Sequence, residues 1–227
     1  MRSSLFDQVN TEVQTAERYA LQSTKMLKVT LGPDVLAAKG AMVAHQGQVT
    51  FNHESSGSLA KFVKRAVSSD DQSLMRASGP GEVFFARAAE HVFLLQLEGD
   101  AISVGGKSLL AFDAELHWDI HRTKGAGMMT GGFFNTLIQG HGMVALTSHG
   151  QPMILDCSQQ PTFVDPNAAV CWSAGLSPSV VNSMNMRSML RGGTGEAFQL
   201  AFHGPGFVVV QPSEGRQEPS GSNGGGR

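Results

Sequence analysis

The stretch Phe198–Val210, FQLAFHGPGFVVV, has two earlier counterparts, Phe134–Leu146 (FNTLIQGHGMVAL) and Ser73–Phe85 (SLMRASGPGEVFF). Their leading glycines, Gly79, Gly140 and Gly204, follow one another at intervals of 61 and 64 residues, and each has a second glycine two positions on, Gly81, Gly142 and Gly206. Four residues after each leading glycine stands a valine: Val83, Val144 and Val208. Two before it stand Ile138 and Phe202 in the later copies, and six before it Phe134 and Phe198. Apolar residues two apart on either side of a G-x-G turn predict a β-hairpin, with glycine supplying the positive φ of a tight turn. Self-similarity at one period is the mark of a repeated structural unit.

Upstream of each such segment lies another pair of short apolar runs. These are MLKVTL and GAMVAH in the first unit, VFLLQL and SLLAFDAEL in the second, and PMILDC and AAVCWSA in the third. Turn-forming residues separate them: GPD at 32–34, EGD at 98–100 and VDPN at 164–167. The reading is a mostly β protein, a pseudo-threefold repeat of β-hairpin units. Units of this size cannot close a core alone, so they stack into one domain over 24–211, and closure would remove open sheet edges. Residues 1–23 form an N-terminal extension. The tail 212–227 (PSEGRQEPSGSNGGGR) lacks an apolar anchor and reads as disordered.

Composition agrees. Glycine supplies 27 of 227 residues, where average usage of about 7% would give about 16. Charged residues are 16%, against about 25% in typical soluble proteins, which fits tight-turned β structure better than a helical bundle. With 17 Lys plus Arg against 19 Asp plus Glu, the net charge is −2, so no basic field is available to hold nucleic acid. The first 20 residues carry Asp7, Glu12 and Glu17 and no apolar run, which predicts a cytoplasmic protein. Gly125 to Leu155 lacks Asp, Glu, Lys and Arg, but its glycines and polar side chains disqualify it as a membrane helix. Cys157 and Cys171 read as buried free thiols.

These features carry a resemblance. The chain resembles the altered inheritance of mitochondria protein 24 family, or mitochondrial biogenesis family, in its bacterial form. The matching features are LKVTLGPDVLAAKGAMVAHQGQV near the start, the three G-x-G segments, and RGGTGEAFQLAFHGPGFVVVQ at the end. The resemblance covers about residues 24–211. It implies a double-stranded β-helix or TRAP-like fold, often assembled as a homo-oligomer, with no enzymatic activity or cofactor attached to it. In the first unit Ser73 replaces the upstream Phe and SSDDQ (68–72) replaces a Gly-Gly turn, so that unit departs most from the pattern.

One run has the composition of a site. Asp113–His121, DAELHWDIH, alternates strictly as a strand, with Asp113, Glu115, His117, Asp119 and His121 on one face and Ala114, Leu116, Trp118 and Ile120 on the other. The plain reading is a solvated outer face. The alternative is an enzyme or binder holding a metal or small molecule on Glu115, His117, Asp119 and His121, since imidazoles and carboxylates make up facial metal sites. GAGMMTGGFF (125–134) and RGGTGE (191–196) lack the G-K-[ST] ending of a phosphate loop and read as connections. No nucleophile elbow is present.

Ser58–Val67, SLAKFVKRAV, has helical period: Leu59, Phe62, Val63 and Ala66 form one stripe, with Lys61, Lys64 and Arg65 off it. Such a short amphipathic helix packs its stripe on the sheet. Alternatively Lys61, Phe62, Lys64 and Arg65 meet an anionic membrane surface or a partner groove. VNSMNMRSML, with Met184, Met186 and Met189, reads as the equivalent helix before the third segment. The expectation is a non-enzymatic, homo-oligomeric scaffold or interaction protein with an unknown protein partner and no nucleic acid.

Overall fold

A computed structural model describes residues 1–54, 73–122, 134–182 and 198–214. The chain is mostly β. In order, the strands are β1 (Tyr19–Ser23), β2 (Met26–Thr30), β3 (Val35–Ala38), β4 (Met42–Gly47), β5 (Thr50–His53), β6 (Leu74–Ser78) and β7 (Gly81–Phe85). There follow β8 (His91–Gly105), β9 (Leu109–Asp113), β10 (His117–Arg122) and β11 (Phe134–Ser148). The last are β12 (Met153–Asp156), β13 (Thr162–Val164), β14 (Ala169–Ser173), β15 (Ser179–Asn182), β16 (Phe198–Phe202) and β17 (Phe207–Val210). Helical structure among the described residues is limited to two single 3-10 turns, Ser4–Phe6 and Gln8–Asn10, neither with a buried residue. The helices expected at 58–67 and around Met184–Met189 lie outside the described residues.

All pairings are antiparallel. One sheet runs β1-β2-β7-β4 and another β13-β16-β15. The largest runs β12-β17-β14-β8-β11-β9-β3-β6-β5, with β10 added on β11. Three apolar clusters fill the space between layers. One gathers Leu27, Val29, Val83 and Phe85; the next Phe112, Ile138, Val144 and Leu146; the third Trp172, Leu200, Phe202 and Val208.

The G-x-G segments are not hairpin turns. β6 pairs with β3 and β5, whereas β7 pairs with β2 and β4. Likewise β16 pairs with β13 and β15, and β17 with β12 and β14. At Gly79 and Gly204 the chain therefore leaves one sheet and enters another. At Gly140 the strand continues through as β11, with a bulge in which Gly99 and Asp100 of β8 oppose the single residue Gly140. The expected turn at 98–100 is thus a bulge inside a long strand. Both arrangements have G-x-G at their centre for a steric reason. Gly79, Gly140 and Gly204 have φ of +104°, +129° and +126°. A side chain on Gly79 or Gly81 would collide with the carbonyl oxygens of Gln48 and Gln46, and one on Gly206 would meet Ser173 Cβ at 2.8 Å. A hairpin and a corner demand the same residues locally; only the partners of the flanking strands tell them apart.

The stretch after each G-x-G meets its partner strand at the same offset. Val83 pairs with His45, Val144 with Phe112 and Val208 with Trp172. One step on, each partner strand bulges by one residue: Val43 in β4, Leu110 in β9 and Val170 in β14. A bulge turns consecutive residues toward both layers, which is why LLAF and AVCW are buried throughout.

β1 lies ahead of the boundary drawn at residue 24, yet Tyr19 and Ala20 are buried and β1 pairs with β2 from Tyr19↔Val29. Both cysteines are free and buried, and burial pushes the Cys171 thiol up to about 12.

Replacing Gly140 by Val should lower stability by about 1–3 kcal/mol, since a β-branched residue is strained at positive φ and its Cβ would press on Leu116 Cδ2 at 3.1 Å. Urea unfolding of parent and variant measures the difference; equal midpoints would contradict the positive-φ backbone at Gly140.

Candidate functional site

Asp113–His121 is not one strand. β9 ends at Asp113, and the Leu116 N–H donates to the Asp113 carbonyl at 3.0 Å, closing a turn through Ala114 and Glu115 before β10 begins at His117. The alternation expected across this run therefore holds only over β10, and Glu115 is exposed in the turn rather than on the strand face. His117 and His121 are exposed, and Leu116 is buried on the opposite side. Trp118 meets Phe112 edge-on with ring centroids 6.4 Å apart. His121 Nε2 stands 3.6 Å from Asp119 Oδ2, while Asp119 Oδ1 accepts the Ile120 N–H at 2.8 Å. Among the described residues no three His, Cys, Asp or Glu side chains gather closely enough to hold a metal ion.

Asp113 serves elsewhere. Its Oδ1 accepts from the Arg18 guanidinium and from the Tyr19 hydroxyl, the latter at 3.0 Å. Its Oδ2 accepts the Met143 N–H at 2.8 Å. Burial, reinforced by the neighbouring Asp113 charge, raises the Tyr19 pKa. The carboxylate thus joins β1, β9 and β11, with three of its acceptor sites taken up inside the fold. Ser173 occupies the same offset on β14, where its Oγ accepts the Phe207 N–H at 3.1 Å.

A second polar cluster was not signalled by any motif. Lys28 lies in the middle of β2 at 3% exposure. Its ammonium donates to Glu12, to the Val13 carbonyl at 3.1 Å, and pairs with Glu82 at 2.8 Å. The Gln22 side chain adds two bonds to the same segment, accepting the Val13 N–H at 2.8 Å and donating to the Thr11 carbonyl at 3.0 Å. Residues 11–13 are strapped over the outer face of the β1-β2-β7-β4 sheet. Burial by itself pulls the Lys28 pKa down, but the hydrogen bonds from Glu12 and Glu82 outweigh it and leave the pKa raised. The Lys28 ammonium holds Glu12 below its ordinary value. The signal available in sequence was a lysine inside the apolar run MLKVTL, which demands a charge partner when buried.

The remaining notable surface is apolar. Val43, Met153, Ile154 and Phe163 are exposed large side chains on strands, together with Leu21. All five sit on strands that end a sheet: Leu21 on β1, Val43 on β4, Met153 and Ile154 on β12, and Phe163 on β13. Among the described residues no helix is long and apolar enough to cross a membrane. Lys61, Phe62, Lys64 and Arg65 fall outside the described residues.

Fold and surface together define a mostly β protein of several antiparallel sheets in which the clustered polar groups fasten strands. The chain belongs to the mitochondrial biogenesis AIM24 family, whose model matches residues 19–213 and so includes β1. A comparison with the curated proteins gives no match. The X-ray structure of protein SPYM3_0169 from Streptococcus pyogenes, a structural genomics target, is similar in fold, with a TM-score of 0.69 at 20% identity. That likeness covers 86% of this chain and 92% of the other.

Two outcomes are expected here. Lys28→Met should cost about 1–3 kcal/mol, because it leaves two partly buried carboxylates without their cation. Glu12, whose pKa is lowered by folding, stabilises above its ordinary value of 4.5 and loses that contribution as pH falls through the folded value. Acid unfolding followed by circular dichroism should therefore show a shallower loss below pH 4.5 in Lys28→Met than in the parent. The joint replacement of His117, Asp119 and His121 by Ser should change stability by no more than about 0.5 kcal/mol per site, and chelator should leave the melting temperature of parent and variant alike unmoved. A chelator-induced drop in the parent alone would assign a metal to β10.

Proposed function

We propose that this protein works as a homo-oligomeric β scaffold or interaction module rather than as a catalyst. The observation that carries the reading is the exposure of Val43, Met153, Ile154 and Phe163 on strands of an otherwise well-packed molecule. Apolar strand surface of this kind is what association covers. Family membership accords with it, and so does the use of Asp113 and Lys28 as internal fasteners.

In this reading the chain is a pseudo-threefold repeat of short, TRAP-like double-stranded β-helix units. The support is the common offset of Val83, Val144 and Val208 from their partner strands and of the bulges at Val43, Leu110 and Val170. The scaffold is cytoplasmic, takes a protein partner and no nucleic acid, and uses no cofactor. The basic stripe Lys61, Lys64 and Arg65 beside Phe62 supplies peripheral contact with an anionic membrane surface. The alternative, an enzyme or metal binder on the 113–121 face, has His121 beside Asp119 in its favour and no third ligand near them among the described residues.

Multi-angle light scattering on the purified chain should give a multiple of the 24.1 kDa chain mass. A mass of 24.1 kDa that does not change with concentration would overturn the proposal.

A further inference from the structure

Two sheet junctions inside the chain share one construction. In the first, β3 lies against β9, with Val35↔Asp113, Leu36↔Phe112 and Ala37↔Ala111. In the second, β8 lies against β14, with Ile102↔Ser173, Ser103↔Trp172 and Val104↔Cys171. The two are superimposable in register. On one side of each, the strand pairs with the segment before a G-x-G: Val35 with Ala77 and Ile102 with Ile138. On the other side, the bulged strand pairs with the segment after one: Phe112 with Val144 and Trp172 with Val208. Strand order through the junctions matches too, as β5-β6-β3 meets β9-β11 and β10-β11-β8 meets β14-β17.

A third junction of this kind is present only as its two halves. β13 pairs with β16 through Thr162↔Phe202, the offset at which Val35 meets Ala77 and Ile102 meets Ile138. β4 pairs with β7 through His45↔Val83, the offset of Phe112 and Trp172. Among the described residues β13 and β4 each end their sheet, with no partner on the second edge. Exposure reports the missing neighbour. Val43 is 52% exposed, whereas its bulge counterparts Leu110 and Val170 are at 0%. His45 is exposed where Phe112 and Trp172 are buried, and Phe163 is 55% exposed where Leu36 is at 0%.

We infer that β4 of one copy of this chain pairs antiparallel with β13 of a second copy, in the register Gln46↔Thr162, His45↔Phe163 and Ala44↔Val164. The second copy is the fitting occupant because the halves complement each other and neither complements itself: the internal junctions always join a strand of the β13 kind to one of the β4 kind. Pairing closes a continuous β1-β2-β7-β4 and β13-β16-β15 sheet and covers Val43, His45 and Phe163 together. The contact is heterologous, so every copy keeps one free half at each end until a ring closes or a chain of copies grows. This assignment rests on the homo-oligomer reading above and names the surface that makes it.

The test uses full-length protein and complementation. Val43→Asp, or His45→Asp, disables only the β4 half; Phe163→Lys, or Thr162→Lys, disables only the β13 half. All four positions lie on the surface of the single chain, so circular dichroism should show the parent fold, and a variant that loses it is replaced by its alternate on the same strand. Each variant alone should run as a monomer in light scattering where the parent is an oligomer. A β4 variant mixed with a β13 variant should give a one-to-one dimer and nothing larger, because one intact junction remains. Variants that assemble like the parent, or a mixture that stays monomeric, would overturn the interface while leaving the homo-oligomer reading in place. A monomeric parent would overturn both.

Discussion

At Gly79 the carbonyl oxygen of Gln48 occupies the space where a side chain would begin, and at Gly81 the carbonyl of Gln46 does the same. The backbone can pass so close to a neighbouring strand only where Cβ is missing, and only with φ in the region that glycine tolerates. From that corner β6 continues in one sheet and β7 in another. The same passage at Gly204 splits β16 from β17, whereas at Gly140 the long strand β11 runs on and β8 bulges opposite it at Gly99 and Asp100. The stretch after every G-x-G buries its valine, Val83, Val144 or Val208, at 0% exposure. The corners at Gly79 and Gly204 send successive strands into different sheets, and apolar side chains fill the space between them.

The bulges complete the arrangement. A regular strand offers one face to the core and one to solvent, but β9 and β14 are buried on both. One additional residue, Leu110 or Val170, re-aims the side chains so that the strand can pack inward and still pair with the next unit. Asp113 and Ser173 then cap the N–H groups of Met143 and Phe207 at the end of each bulged strand. A strand buried on both faces must pair on both edges or leave polar groups without partners. β4 has the bulge but, among the described residues, no second neighbour, and there Val43 reaches solvent.

Among the described residues the most heavily partnered polar side chains hold strands together. Asp113 accepts from Arg18, Tyr19 and the Met143 N–H, and Lys28 is saturated by two carboxylates and a carbonyl. Arg76 likewise bridges Glu54 at 3.0 Å and Asp34 at 3.2 Å. Groups held this way fix strands to one another and have little freedom to exchange protons with a substrate. The proposed scaffold role follows from that use of polar side chains, together with apolar surface placed on strands rather than in a cleft.

The sequence by itself determined that the chain is β, where most strands run, and that G-x-G recurs in step with a buried valine. Alternation and turn residues are local properties, and local sterics read them directly. It also determined that both cysteines would be buried, since Cys171 stands in the apolar run AAVCWSA. Whether G-x-G makes a hairpin or a corner was decided only in the tertiary structure, because both demand glycine and differ in which distant strands the flanks meet. The Asp113–His121 run looked continuous because alternation does not register a tight turn at Ala114 and Glu115. Tyr19 and Lys28 gained their roles from partners 94 and 16 residues away, Asp113 and Glu12. The open edges of β4 and β13 are invisible in sequence for the same reason: MVAH and TFV carry the same apolar signal as their buried counterparts, and only the strand pairing shows that each has a single neighbour among the described residues.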